Sequence, residues 1–150
     1  MAQGIFQVQL LASGHRHQFS VGSAGTHAWM EGHAPDPLAC AAAVSLGADI
    51  SALRARKLAP GDAGAELVLV MDNGNRDWLH EFAPGYGARV RLLGEFDPAA
   101  CTGEIADPYG GSAAEFNATA GVIARCCSGL LDHLLREGAG PQARGNYFER

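Results

Sequence analysis

The spacing of apolar residues along the chain changes period several times, and each change predicts an element. At the front, Ile5, Phe6, Leu10 and Leu11 make a helical face, while Phe6, Val8 and Leu10 alternate with Gln7 and Gln9 as in a strand. Periodicity alone does not decide so short a run. Residues 19–24, "FSVGSA", alternate Phe19 and Val21 with small polar residues and predict a short strand opening into a loop rich in His, Gly and Pro. In "DPLACAAAVSLG" Asp36 is placed to cap a helix, Pro37 to open it and Gly47 to end it after about three turns. "ELVLVMD" (66–72) is a continuous apolar run, as expected of a parallel strand covered on both faces. In "NRDWLHEFAP", Trp78, Leu79 and Phe82 share one helical side before Pro84 stops it, and "ARVRLLGEF" alternates at Val90 and Leu92 as an edge-like strand. From Ser112, Phe116, Ala120, Ile123, Cys127, Leu130, Leu131 and Leu134 follow a helical period to about Arg136. This predicts the longest helix, packed on the sheet. The tail 138–150 has little to bury and is expected to be flexible, leaving one domain over 1–137.

Strands alternating with helices predict a small parallel α/β sheet with helices on both faces, which binds ligands outside the carboxyl ends of its strands. The loops to inspect therefore start at Ser23, at Asp72 and after Leu93. A chain of 150 residues, 47% hydrophobic, suffices for one core without disulfide staples. A net charge of −5 with no basic stretch longer than "RARK" argues against nucleic acid and anionic membranes as partners. No apolar run is long enough to span a bilayer and no leader pattern is present, so a cytoplasmic protein is expected. Cys40, Cys101, Cys126 and Cys127 lack the spacing of a disulfide framework or zinc site and read as reduced, buried thiols. His27 and His33 have no third ligand at a suitable spacing, so no metal and no cofactor is expected.

Three Asp-Pro pairs occur, and their neighbours distinguish them. Asp36 has a capping task and Asp97 sits in a turn before alanines; both read as structural. Asp107 opens "DPYGGS", while Ser112-Ala113-Ala114-Glu115 has the form of a capping box that serves the long helix without it. An acid in a Gly-rich loop with no capping task is a candidate proton donor, and Tyr109 beside it could flank a ring substrate.

"VGSAGTHAWMEGHAPDP" (21–37), "ISALRARKL" (50–58), "ELVLVMDNGNRDWL" (66–79), "VRLLGEFDP" (90–98) and "IADPYGGSAAEF" (105–116), in that order, closely resemble the low-molecular-weight protein tyrosine phosphatases from Met1 to about Leu135. The resemblance implies a four-stranded parallel sheet between helices and hydrolysis of a phosphomonoester through a phosphocysteine. It assigns Asp107 as the general acid that protonates the leaving phenol, Ser23 of "SAGT" as support for the phosphate loop, and Trp29 with Tyr109 as walls of the substrate cleft. Leu53 stands where many relatives carry a histidine and receives no role. The implied partner is a phosphotyrosine protein, for example a bacterial tyrosine kinase.

The departure lies at the front. The family's nucleophile belongs to a CxxxxxR loop whose backbone N–H groups and arginine cradle the phosphate, with a helix N-terminus lowering the thiol pKa. Six positions after Cys40, Cys101, Cys126 and Cys127 stand Leu46, Asp107, Asp132 and His133, none of them arginine. The chain therefore carries a general acid but neither nucleophile nor phosphate-binding arginine, and is expected to be inactive alone. "MAQGIFQVQLLASG" aligns with the family's first helix, with Met1 in its first turn. The family strand order 2-1-3-4 then leaves a gap of roughly 10 Å between 19–24 and 66–71, where the first, central strand is lacking. The natural protein is expected to begin roughly fifteen residues earlier, one strand plus one loop. The alternative is a non-enzymatic pseudophosphatase or interaction module that recognises partners through Trp29 and Tyr109, with a homodimer filling the missing strand position. Arsenate reductase, which shares the fold, also needs the loop cysteine and further redox cysteines between Cys40 and Cys101, where there are none.

Overall fold

A computed structural model describes residues 1–97, 99 and 103–138. The ambiguous front is a helix, α1, over Ala2–Ala12, with Ile5, Phe6 and Leu10 buried and Leu11 exposed. Gly14, at φ +78°, turns the chain out of it: His15 N–H donates to Leu10 O at 2.8 Å and Gly14 N–H to Leu11 O at 3.1 Å. The second helix, α2, covers Pro37–Val44, and the Asp36 carboxylate accepts from Leu38 N–H at 2.7 Å. It is shorter than the three turns expected because the same kind of glycine exit, at Gly47, already occupies the chain after Val44.

Strand β1 (Val68–Val70) pairs in parallel with β2 (Val90–Leu92), in the register Val68 to Val90 and Val70 to Leu92. The apolar run at β1 is buried from both sides. Leu67, Leu69 and Met71 pack on the larger core formed with α1 and α2, while Val68 and Val70 join Leu79, Tyr86 and Leu92 on the opposite face. Helix α3 (Asn73–Phe82) covers that second face, capped by Asp72, whose carboxylate accepts from Asn75 N–H at 2.6 Å. Only Leu79 of α3 is buried. Trp78 and Phe82 share its flank, ring centroids 5.4 Å apart, and Phe82 is exposed.

The expected strand at 19–24 does not form. A strand exists through its ladder, and among the described residues this segment makes only the single parallel bridge between Gly25 and Lys57 at its end. Among the described residues strand β1 likewise pairs on one edge, with β2, so the sheet there is two-stranded. Phe19 and Val21 lie against the larger core as partly buried side chains.

Helix α4 (Ala113–Gly138) organises the rest. Phe116, Ala120, Ile123, Cys126, Cys127, Leu130 and Leu131 are all buried along one stripe. That stripe packs on α1, on α2 and on the 3-10 turn Leu93–Phe96 after β2. The approach to the turn is close enough that a side chain at Gly129 would strike the Phe96 carbonyl. From residue 139 on, the tail expected to be flexible lies outside the described residues, as does Cys101.

Two glycines of α4 should respond to alanine with opposite sign. Gly121 faces open space, so G121A should stabilise by about 0.5–1 kcal/mol through helix propensity. G129A must push the helix off the turn and should destabilise by about 1–3 kcal/mol. Urea unfolding of both variants measures the difference.

Candidate active-site loops

The loop that carries Asp107 is fastened to the carboxyl end of β1. Ile105 N–H donates to Met71 O at 2.8 Å, and the Glu104 carboxylate accepts from Asn73 N–H at 2.9 Å, in the first turn of α3. Asp107 is exposed, and its Oδ1 accepts from Tyr109 N–H at 3.0 Å, which orients the carboxyl group on its own turn. Its other oxygen has no hydrogen-bond partner among the described residues. Gly110, at φ +79°, makes the turn possible, and Gly111 N–H closes it on Pro108 O at 2.9 Å. The capping box read from the sequence is present. Glu115 Oε2 accepts from Ser112 N–H at 2.7 Å and from its hydroxyl at 2.8 Å, so α4 is capped without Asp107.

Ser23 lies at the opposite side of the unpaired segment, and its hydroxyl meets Gln3 Oε1 in the first turn of α1 at 2.5 Å. The loop beyond it is held through backbone pairing to 54–58. Gly25 N–H donates to Arg56 O at 2.8 Å, Gly32 N–H to Ala55 O at 2.7 Å, and Ala55 N–H to His33 O at 2.9 Å. Arg56 in turn grips Asp62 with two bonds of 2.8 Å, and this grip, with the Ala59 N–H, draws the Asp62 carboxyl down to about 2. Trp29 rides on this braced loop with 73% of its surface exposed, and Tyr109 is 67% exposed. Neither ring stacks on another aromatic ring among the described residues. The ring that anchors the loop is instead His27, 5.9 Å from Trp78 of α3, with Thr26 Oγ1 2.8 Å from its Nδ1.

Asp36 and Asp97 have the structural tasks expected of them. Asp97 is buried, and its carboxyl is drawn below the ordinary value by the Ala99 N–H and by Arg125, whose Nε lies 3.0 Å away. Gln3, Glu104 and Trp78 were not singled out by sequence. A glutamine in a helix and a loop glutamate carry no spacing signal, and the spacing of Trp78 marks only a helical side; their partners come from distant parts of the chain.

Cys126 and Cys127 do not suit nucleophilic chemistry, and Cys40 is only half-buried rather than buried as expected. Burial pushes the Cys127 thiol up to about 12 and also raises that of Cys126, and no group of three His, Cys, Asp or Glu suited to a metal occurs among the described residues.

The family model described as low molecular weight phosphotyrosine protein phosphatase matches residues 1–140. A low molecular weight protein-tyrosine-phosphatase of Streptomyces coelicolor is 30% identical over 135 residues, covering 87% of this chain and 82% of that one. Low molecular weight protein-tyrosine phosphatase A of Mycobacterium bovis is 31% identical over 134 residues, covering 88% and 81%. Among solved structures, the low molecular weight protein tyrosine phosphatase of T. tengcongensis superposes with a TM-score of 0.79 at 30% identity, covering 89% and 88%. A protein tyrosine phosphatase of Entamoeba histolytica gives 0.83 at 23% identity, covering 91% and 88%, a likeness of fold.

Alkylation with iodoacetamide at pH 8 should leave Cys126 and Cys127 unmodified in the folded chain and modify both in urea. Peptide mass spectrometry reads each site; labelling of Cys127 in the native state would contradict its burial.

Proposed function

The chain belongs to the low molecular weight phosphotyrosine protein phosphatase family, and from that premise we propose that Asp107 is the general acid of a phosphotyrosine phosphatase whose nucleophile is supplied by residues outside 1–150. The observation that carries the reading is the state of Asp107: an exposed carboxyl group, one oxygen tied to its own turn and the other without a hydrogen-bond partner among the described residues, on a loop docked at the carboxyl end of β1. A proton donor needs this combination of fixed orientation and an available oxygen. In the proposed step a cysteine thiolate attacks phosphorus, the P–O bond to the phenol breaks, and the Asp107 proton goes to the departing phenolate oxygen. Water then hydrolyses the phosphocysteine, with Asp107 carboxylate taking its proton. Trp29 and Tyr109 flank the aryl ring, and Ser23, through Gln3, ties the phosphate-loop side to the first turn of α1.

No cysteine of 1–150 is followed six positions later by arginine, so this chain by itself has no family nucleophile or anion cradle. A strand and CxxxxxR loop preceding residue 1 would supply both, and would seat between the unpaired segment 19–24 and the open edge of β1. The substrate class is a phosphotyrosine protein in the cytoplasm. The same sequence fact supports a second reading, a non-catalytic module that binds partners through Trp29 and Tyr109 and associates with a second copy at the open strand position.

Hydrolysis of p-nitrophenyl phosphate separates the two. The chain 1–150 should be at the level of the buffer blank, whereas a fusion that adds a relative's first strand and CxxxxxR loop before residue 1 should turn over. In that fusion D107N should lower kcat by about 10²–10⁴-fold. Turnover by 1–150 alone contradicts the assignment of the nucleophile, and a folded but inactive fusion favours the second reading.

A further inference from the structure

Away from the loops around Asp107, the last turns of α4, Arg91 of β2 and the turn after it border an open groove of about 340 Å3, lined by Arg91, Glu95, Phe96, Asp132, His133 and Arg136. One ring nitrogen of His133 is in demand from two sides. Its Nε2 lies 3.2 Å from Arg91 Nη1 and 3.4 Å from Glu137 Oε1. A guanidinium only donates, so the contact with Arg91 needs a lone pair on Nε2 and hence the imidazole proton on Nδ1. A carboxylate only accepts, so the contact with Glu137 needs a proton on Nε2. One nitrogen cannot satisfy both at once.

We propose that His133 is a proton-operated latch between α4 and β2: neutral, it accepts from Arg91 and holds the two elements together over Phe96; protonated, it releases Arg91 and turns to Glu137.

Each state is built from groups in place. In the closed state the Arg91 guanidinium lies over the Phe96 ring, 4.4 Å from its centroid, and the imidazole packs on the same ring at 5.2 Å, tilted by 54°. Arg91 Nε is fixed by Glu95 Oε2 at 2.9 Å, so the guanidinium is aimed before His133 engages it. Among the described residues, the charged groups facing the imidazole are Arg91 from β2, Glu95 from the turn, and Asp132, Arg136 and Glu137 from α4 itself. Arg91 stands at hydrogen-bond distance from the ring on one side, and Glu137, 68% exposed, on the other. Opening takes the imidazole off Phe96, which is 7% exposed in the closed state, while Arg91 stays over the ring on its Glu95 contact. The Arg125–Asp97 pair one turn before Gly129 still holds α4 to this segment, so the change is local to the last turns. Nothing in the latch depends on the phosphatase reading, and either can fail without the other.

Two-bond proton–nitrogen NMR of the histidine rings across pH 5–9 tests it, with H133Q assigning the signal. Neutral His133 should carry its proton on Nδ1, the tautomer opposite to the one free histidine prefers in water. R91Q should move that proton to Nε2, whereas E137Q should leave it on Nδ1. Through-space cross-peaks between the His133 and Phe96 rings should fade in the unaltered chain as His133 protonates. A neutral His133 protonated on Nε2 in the unaltered chain overturns the proposal, as does an R91Q spectrum with the tautomer unchanged or His133–Phe96 cross-peaks that persist through the titration.

Discussion

The burial of one stripe of α4 is the interaction on which everything else in the structure depends. Seven side chains from Phe116 to Leu131 leave water along a single helix and meet α1, α2 and the turn after β2. At about 1.5–3 kcal/mol for each large apolar side chain, that stripe outweighs a ladder of two three-residue strands. Close approach in this core rests on small residues as well as large ones. Gly129 of α4 admits the Phe96 carbonyl, and in α1 a side chain at Gly4 would run into Ile50. The fold is held chiefly by helices, with the sheet as its margin.

That distribution explains how the loops of the site stay placed. Asp107 is set by a backbone bond to Met71, by the Glu104–Asn73 contact and by the capping box that starts α4, so its position is inherited from the best-packed helix. Trp29 is set differently, by backbone pairing of its loop to 54–58 and by His27 on Trp78. Ser23 reaches α1 through Gln3. Asp107, Trp29 and Ser23 are thus carried by three separate supports.

Much of this was legible from local pattern. The α4 period, the Asp36 and Ser112 caps and the two-faced burial of β1 each depend on residues within a few positions, and each was read correctly. The parts that were not legible depend on distant partners. "FSVGSA" alternates as a strand does, yet it has no ladder, because alternation describes a chain ready to pair and not the presence of a neighbour. Phe82 completes a helical side in the sequence but is exposed, since the small sheet covers only as much of α3 as Leu79 reaches. Residues 1–12 were ambiguous in periodicity, and only the family resemblance pointed to the helix that forms. Within the site, Asp107 stood out because a neighbouring cap made it redundant. Gln3, Glu104 and Trp78 act through contacts 20 to 51 residues away in the chain, which local spacing does not show.

Amide hydrogen exchange resolved by residue tests most directly the claim that a helical core carries an incomplete sheet. The amides from Ile123 to Leu131 should be the slowest of the molecule and exchange only with global unfolding. Those of 19–24 should exchange nearly as fast as an unstructured chain, and should slow when a strand is supplied beside β1. Strand-like protection across 19–24 in residues 1–150 alone would contradict it.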